Sequence, residues 1–458
     1  MPEKKVIITT IKGEGERGEM KQMKILKCFG LPLFLLFILL LCGGTVKAAD
    51  LPKLIDKTNC SQFKDLLIPP LYRAVERGAW VVTPGAINFK YKHLDSFLAA
   101  SAKNAGRFDV NDAGELIEKS TGKIASTNFY GMPFPNIYRS DPRVADKIIW
   151  NFNYQRYRFM ATTMHTYAVW INKTKDERFV VGSDTRLYMM GRPPGTEIRN
   201  PDKVLTYEFQ KIQEPMGMKG TNSMSYVYID ERDNTNYAYV PAIRRIRQTT
   251  STARSDPYMG SDAWLDMNYG WSGKHRSMKW NLVGEKTILV PFTSPNMIPM
   301  QDMPDGSVIP KYPWSGKRMK FGFEVPGWKG DAWAPAPSTL TYVPRKVWVI
   351  EQMPVDPYYN WGLHINYIDQ ETYNIWYKEV YDKAGIFHTW VNILTHYGES
   401  PSGKNNTGIP DGNLYIDEVY KHATWPGNFN GPDTRMYMPA SAMAPDNFSV
   451  NNFLLLSK

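Results

Sequence analysis

The chain has 458 residues, a formal net charge of +10 and three cysteines. That length suits two domains or one large β domain with excursions. The mild basic excess has no concentrated Lys/Arg run, which argues against a nucleic-acid partner, and three cysteines are too few for a disulfide framework.

The first element in chain order is an apolar run, Leu31-Pro-Leu-Phe-Leu-Leu-Phe-Ile-Leu-Leu-Leu41, preceded by Lys21, Lys24 and Lys27. A membrane span needs roughly 20 apolar residues, and this run is about half of that. Basic start, apolar centre and the small residues of Gly43–Ala49 together read as a cleaved secretory signal over residues 1–48, cut after Ala48. A rival reading acylates Cys42, but Leu39, Leu40 and Leu41 precede it where lipid attachment favours Gly, Ala or Ser. The acidic residues before Met20 are unlike a signal, so Met20 or Met23 reads as the start. The mature chain is expected outside the cytoplasm, which disfavours ATP- or nicotinamide-dependent chemistry, with Cys60 as its one remaining thiol.

Residues 49–160 read as a helical and irregular segment that packs on the strand-rich remainder of the chain. Pro69–Gly78 opens with Pro and closes with Gly, Leu94, Phe97, Leu98 and Ser101 share a face, and Val144, Ile148 and Phe152 recur at helical spacing after Asp141-Pro142. From about His165 the pattern is strand-like, over 165–172, 178–190, 204–212, 224–230, 237–247, 277–292, 339–353, 363–368, 373–381, 386–395 and 413–420. About eleven strands joined by short polar turns favour an antiparallel meander that curls into an open or closed barrel rather than one flat sheet. Two segments interrupt it: a polar stretch over 248–276 and a Pro-, Gly- and Trp-rich insert over 296–338.

No nucleophile elbow, phosphate loop, zinc-protease motif or paired cysteine is present in the sequence. His388 and His396 share one strand face but lie about 26 Å apart when extended, too far for one metal. Asp256, Asp262 and Asp266 come after Arg244, Arg245, Arg247 and Arg254. This reads either as an ion-pair network pinning a loop to a strand, or as Asp262 or Asp266 serving a hydrolase as acid or base. The former carries more weight, so Arg244, Arg245, Arg247 and Asp262 are structural or docking candidates, with no catalytic residue, metal or cofactor expected. Tyr226, Tyr228, Tyr239, Trp348, Trp376 and Trp390 are candidate ligand-contacting rings, because Tyr and Trp suit surfaces apolar at one end and wet at the other.

The chain also carries an ordered motif series: Gly131-Met-Pro-Phe-Pro135, Trp150-Asn151, Tyr239-Val-Pro-Ala-Ile-Arg-Arg-Ile-Arg247, Met259-Gly-Ser-Asp262, Trp280-Asn-Leu-Val-Gly-Glu-Lys286, Arg345-Lys-Val-Trp-Val349, Tyr367-Ile-Asp369 and Tyr381-Asp-Lys-Ala-Gly385. Together they resemble the DUF1329 family, within the LolA/LolB-like superfamily of periplasmic lipoprotein carriers. The resemblance implies a mainly β (α+β) protein: a strongly curved antiparallel sheet over 161–450, an unclosed barrel whose cavity is capped by helices and the long insert. It also implies a periplasmic location in a Gram-negative envelope, with outer-membrane association as a variant, and a lipid, acyl-chain or other hydrophobic cargo. The alternative is a non-catalytic assembly protein whose aromatic loops hold an inner-membrane exporter or an outer-membrane protein.

Overall fold

The computed structural model describes residues 48–126, 128–230, 232–249, 254–311, 319–402, 407–429 and 434–457. The expected signal segment up to residue 47, and residues 312–318 of the insert, lie outside the described residues. Two meanders make the main sheet. The first runs in chain order through β3 (Ala161–Ile171), β4 (Asp176–Tyr188), β5 (Val204–Glu214), β6 (Asn222–Tyr228), β7 (Thr235–Val240) and β8 (Arg245–Thr249). The second takes β12 (Thr341–Pro354), β13 (His364–Asp369), β14 (Ile375–Tyr381), β15 (Phe387–Glu399), β16 (Thr407–Asp417) and β17 (His422–Phe429), with β9 (Met278–Phe292) on the outer side of β12. Antiparallel pairing of β17 with β3 joins the two halves, so β3 sits mid-sheet.

The sheet is strongly curved but is not closed into a barrel. At one end β9 bends back to touch β15 through a single parallel bridge, Phe292 to Thr395. With β12, β13 and β14 between them, these strands form a tight roll. Its interior is solid: Trp80 lies 5.3 Å from Trp390 and donates from Nε1 to the Tyr342 hydroxyl at 2.8 Å. The Tyr377 hydroxyl crosses the roll to the Leu289 carbonyl at 2.8 Å. Helix α1 (Pro69–Glu76) supplies Leu71, Ala74 and Val75 to the same core.

Further short strands lie outside the main path. β1 (Phe108–Val110) and β2 (Leu116–Glu118) form a hairpin, and β10 (Ile298–Asp302) pairs antiparallel with β11 (Val308–Pro310) and parallel with β15. The insert at 296–338 thus lies against the roll, with Phe321, Trp333, Ala334 and Ala336 in its core. Helices α2 (Asp95–Lys103) and α3 (Val144–Tyr157) cover the opposite sheet face; Val144, Ile148 and Phe152 are buried there, as their spacing predicts, and Ile149 is buried beside them. A C-terminal helix, α4 (Val450–Ser457), packs Phe453 against β5 and β6.

One predicted strand is two. The segment read as 237–247 breaks at Pro241, whose missing N–H ends the ladder, and Arg244 turns the chain with φ +50° so that β8 folds back on β7.

Candidate ligand-binding groove

Period-two alternation puts Thr166, Ala168 and Trp170 of β3, Val180, Gly182, Asp184 and Arg186 of β4, and Gln210 and Ile212 of β5 on one sheet face. Thr424 and Pro426 of β17 continue it. The polar segment that interrupts the meander roofs this face with Tyr258, Met259, Ser261, Ala263, Asn268 and Tyr269, enclosing a cavity of about 150 Å³. A second hollow of about 240 Å³ adjoins it between β5, β6 and β7, bordered by Arg254, Leu265 and Ser272 and sharing Gln210, Tyr258 and Asn268 with the first.

The groove has apolar walls and a polar floor in which two carboxylates, Asp184 and Glu208, share one guanidinium, Arg186. Arg186 is buried and grips Asp184 from Nε at 2.7 Å, with Glu208 at 3.4 Å from its other terminus. Burial opposes its charge, yet Asp184 and Glu208 hold the guanidinium more firmly protonated than usual. Gln210 donates to Asp184 at 3.2 Å and accepts from the Tyr258 hydroxyl at 2.7 Å, so floor and roof are tied together. Walls of Trp170, Val180, Ile212, Met259 and Tyr269 are suited to an uncharged or amphiphilic guest. Among the described residues no group of three or more His, Cys, Asp or Glu could hold a metal ion.

Hydrogen bonds and side chains, rather than strands, fasten the roof. Asp262 accepts from the Thr424 hydroxyl at 2.6 Å and pairs with His422 Nδ1 at 2.6 Å. Trp170 Nε1 and Arg178 both donate to the Gly260 carbonyl, at 3.2 and 3.0 Å. Arg254 pairs with the buried Asp266, Tyr415 donates to the Met267 carbonyl at 3.0 Å, and Trp264 stacks on Trp361 at 4.8 Å. Met259 and Tyr269 take left-handed backbone angles of +52° and +56°, uncommon for such side chains, which the surrounding contacts enforce.

The rings singled out from the sequence lie elsewhere. Tyr226 and Tyr239 pack on the opposite face against Phe448 and Phe453, with the Tyr226 hydroxyl donating to the Phe448 carbonyl at 2.5 Å. Tyr228 lines a separate pocket beside α3. Trp348 packs on Tyr373, while Trp376 and Trp390 fill the roll, Trp376 donating to Asp369 at 2.9 Å. Arg244, Arg245 and Arg247 are exposed and, among the described residues, meet no carboxylate; Asp262 takes His422 instead of an arginine. Sequence reasoning passes over Trp170, Arg186, Gln210, Tyr258 and Tyr269. The signal for them is Asp184 and Arg186 set two apart on one strand face, an inward-facing charge pair where a core strand would carry aliphatics.

A curved antiparallel sheet with a roofed groove on one face is the class of protein that fold and site define. The chain belongs to the family described as protein of unknown function (DUF1329), whose model matches residues 54–453, in agreement with the motif series from Gly131 to Gly385. No curated protein matches it. Similar solved structures include a domain classed with outer membrane lipoprotein-sorting proteins from Vibrio parahaemolyticus (12% identity, 67% of this chain and 97% of that one, TM-score 0.45). They also include a DUF1329 family protein from Desulfovibrio piger (10%, 66% and 97%, 0.41) and a LolA superfamily protein from Nitrosomonas europaea (9%, 67% and 98%, 0.36).

Proposed function

We propose that the groove beneath residues 254–272 holds a hydrophobic or amphiphilic molecule and that the chain is a non-catalytic binding or carrier protein of the cell envelope. The observation that supports this is a roofed cavity with apolar walls and a floor whose guanidinium, Arg186, is already engaged by Asp184 and Glu208. Such a site rewards burial of carbon, about 0.8 kcal/mol per methylene. A cavity of about 150 Å³ is the size that accepts benzene. A long acyl chain therefore enters only as the roof lifts and the adjoining hollow opens to it. No helix among the described residues is long and apolar enough to cross a membrane, and export by the Leu31–Leu41 segment would bring the protein to the periplasm.

The test is titration with a dansylated fatty acid, beside mass spectrometry of organic extracts from protein purified out of cell envelopes. Ala168→Phe fills the groove from β3 and should abolish saturable binding while leaving the melting temperature within a few degrees of wild type. Equal binding by wild type and Ala168→Phe would overturn the assignment of the groove.

A second reading, an assembly role toward an exporter or outer-membrane protein, is favoured by one observation. The roll is packed with the chain's own rings, and Tyr358, Ile386 and Tyr420 are exposed. Absence of any bound lipid, together with co-purification of an envelope protein lost on Tyr358→Ser/Tyr420→Ser, would select it.

A further inference from the structure

A separate pocket of about 120 Å³ lies between the β1–β2 hairpin, α3 and the ends of β5 and β6. Its walls are mainly carbon: Leu116, Ala125, Trp150, Tyr157, Met190 and Leu205. None of these borders the roofed groove. Two further lining residues, Tyr154 and His275, are 1% and 7% exposed, and each carries one polar atom with no hydrogen-bond partner: the Tyr154 hydroxyl and His275 Nδ1. A buried polar atom left unpaired is costly, and native proteins seldom retain one without a use.

The surroundings fix the chemistry of both atoms. His275 is clamped with Nε2 2.8 Å from Asp146 Oδ1 and its ring stacked 4.8 Å from Trp150. Burial lowers its proton affinity against the pull of Asp146, so the ring is neutral, gives its one proton to the carboxylate and leaves Nδ1 as an acceptor. Burial raises the Tyr154 hydroxyl well above its ordinary value, so it stays protonated and can donate or accept. The Trp150 Nε1 proton is already given to the Gly114 carbonyl at 3.1 Å. The cations at the rim are occupied too: Lys274 donates to the Asp230 and Arg232 carbonyls, and Arg276 lies 3.5 Å from Glu115.

We infer that this pocket is a second, independent binding site, for a small neutral aromatic molecule carrying a hydroxyl group, of the size of phenol. A flat ring fits walls of stacked rings and thioether, and a hydroxyl can both donate to an imidazole acceptor and accept from a tyrosine. Anionic ligands are disfavoured because, among the described residues, no free cation faces the pocket, and long chains because of its size.

The experiment is calorimetric titration of the full mature chain with phenol and, in parallel, benzene. Wild type should bind phenol saturably and at least tenfold more tightly than benzene. Tyr154→Phe should reduce phenol affinity several-fold and leave benzene affinity unchanged, whereas Ala125→Leu, which fills the pocket, should abolish both. Far-ultraviolet circular dichroism confirms folding of each variant. If a variant fails to fold, the shift of the Trp150 indole N–H resonance on adding phenol to wild type decides instead. No saturable phenol binding by wild type, equal phenol binding by all three proteins, or an unmoved Trp150 resonance overturns the inference. Occupation of the groove by a fatty acid leaves every one of these readouts untouched, so the two sites succeed or fail separately.

Discussion

Single residues carry the clearest pH signatures. Lys378 is fully buried on β14, where its ammonium nitrogen meets the Gly270 carbonyl at 2.8 Å and Gln352 Oε1 at 2.6 Å, with no carboxylate in contact among the described residues. Burial pushes its pKa well below the ordinary lysine value. Between the folded and unfolded pKa values folding therefore releases a proton, and this lysine lowers stability by an amount that shrinks as pH rises toward the unfolded value of about 10.4. Lys378→Met should flatten the rise of stability with pH between neutrality and pH 10, measured by urea unfolding; an unchanged slope would show that the amine is solvated. His422 behaves in the opposite sense. Burial works against its charge, but Asp262 and Glu177 win and raise its pKa. Its contribution is complete below the unfolded value of about 6.5 and fades as pH climbs through the higher folded value. Hydrogen exchange at the Gly260–Asp266 amides should therefore accelerate above neutral pH in wild type but be flat with pH in His422→Gln, after correction for intrinsic exchange.

Elements divide into those the sequence makes legible and those it hides. Helix α3 is plain from Val144, Ile148 and Phe152, and most hairpins are plain from their polar turns. β17 is hidden because Pro426 and Gly427 sit inside it, residues that normally argue against a central strand. The break between β7 and β8 is hidden because Pro241-Ala-Ile reads as one apolar run with its flanks. The groove is the least legible part. Aromatic type alone points to Trp376 and Trp390, yet ring chemistry is the same in a packed roll as in a cavity wall, and only topology separates the two. Gly182 of β4 shows how tightly the groove floor is built. The ladder to β5 shifts register there, and a Cβ on Gly182 would stand 2.1 Å from the Lys211 carbonyl oxygen. Gly182→Ala should cost about 1–3 kcal/mol through forced displacement of β5. The cost would appear in denaturant midpoints together with weaker fatty-acid binding, and a neutral effect on both would mean that β5 adapts freely.

At the scale of the whole molecule, the sheet separates two duties. The end formed by β9 and β12–β15 is a filled roll that anchors the N-terminal segment and the insert, and the wing of β3–β7 keeps its hollows under a side-chain-fastened roof. Rigidity and access are thus assigned to different strands of one sheet. The position of β3 adds a hazard to biogenesis. One of its margins is satisfied at once by β4, but the other waits for β17, which emerges from ribosome or translocon only after all the intervening strands. Throughout synthesis and export, a central β ribbon stands half-unzipped, the kind of bare flank that recruits neighbouring chains into aggregates. A version ending at Tyr420 should accordingly precipitate or bind holdase chaperones even though every residue of the groove's β4–β5 floor is present. Resupplying His422–Phe429 as a synthetic peptide should restore part of its solubility, by donor-strand repair from outside.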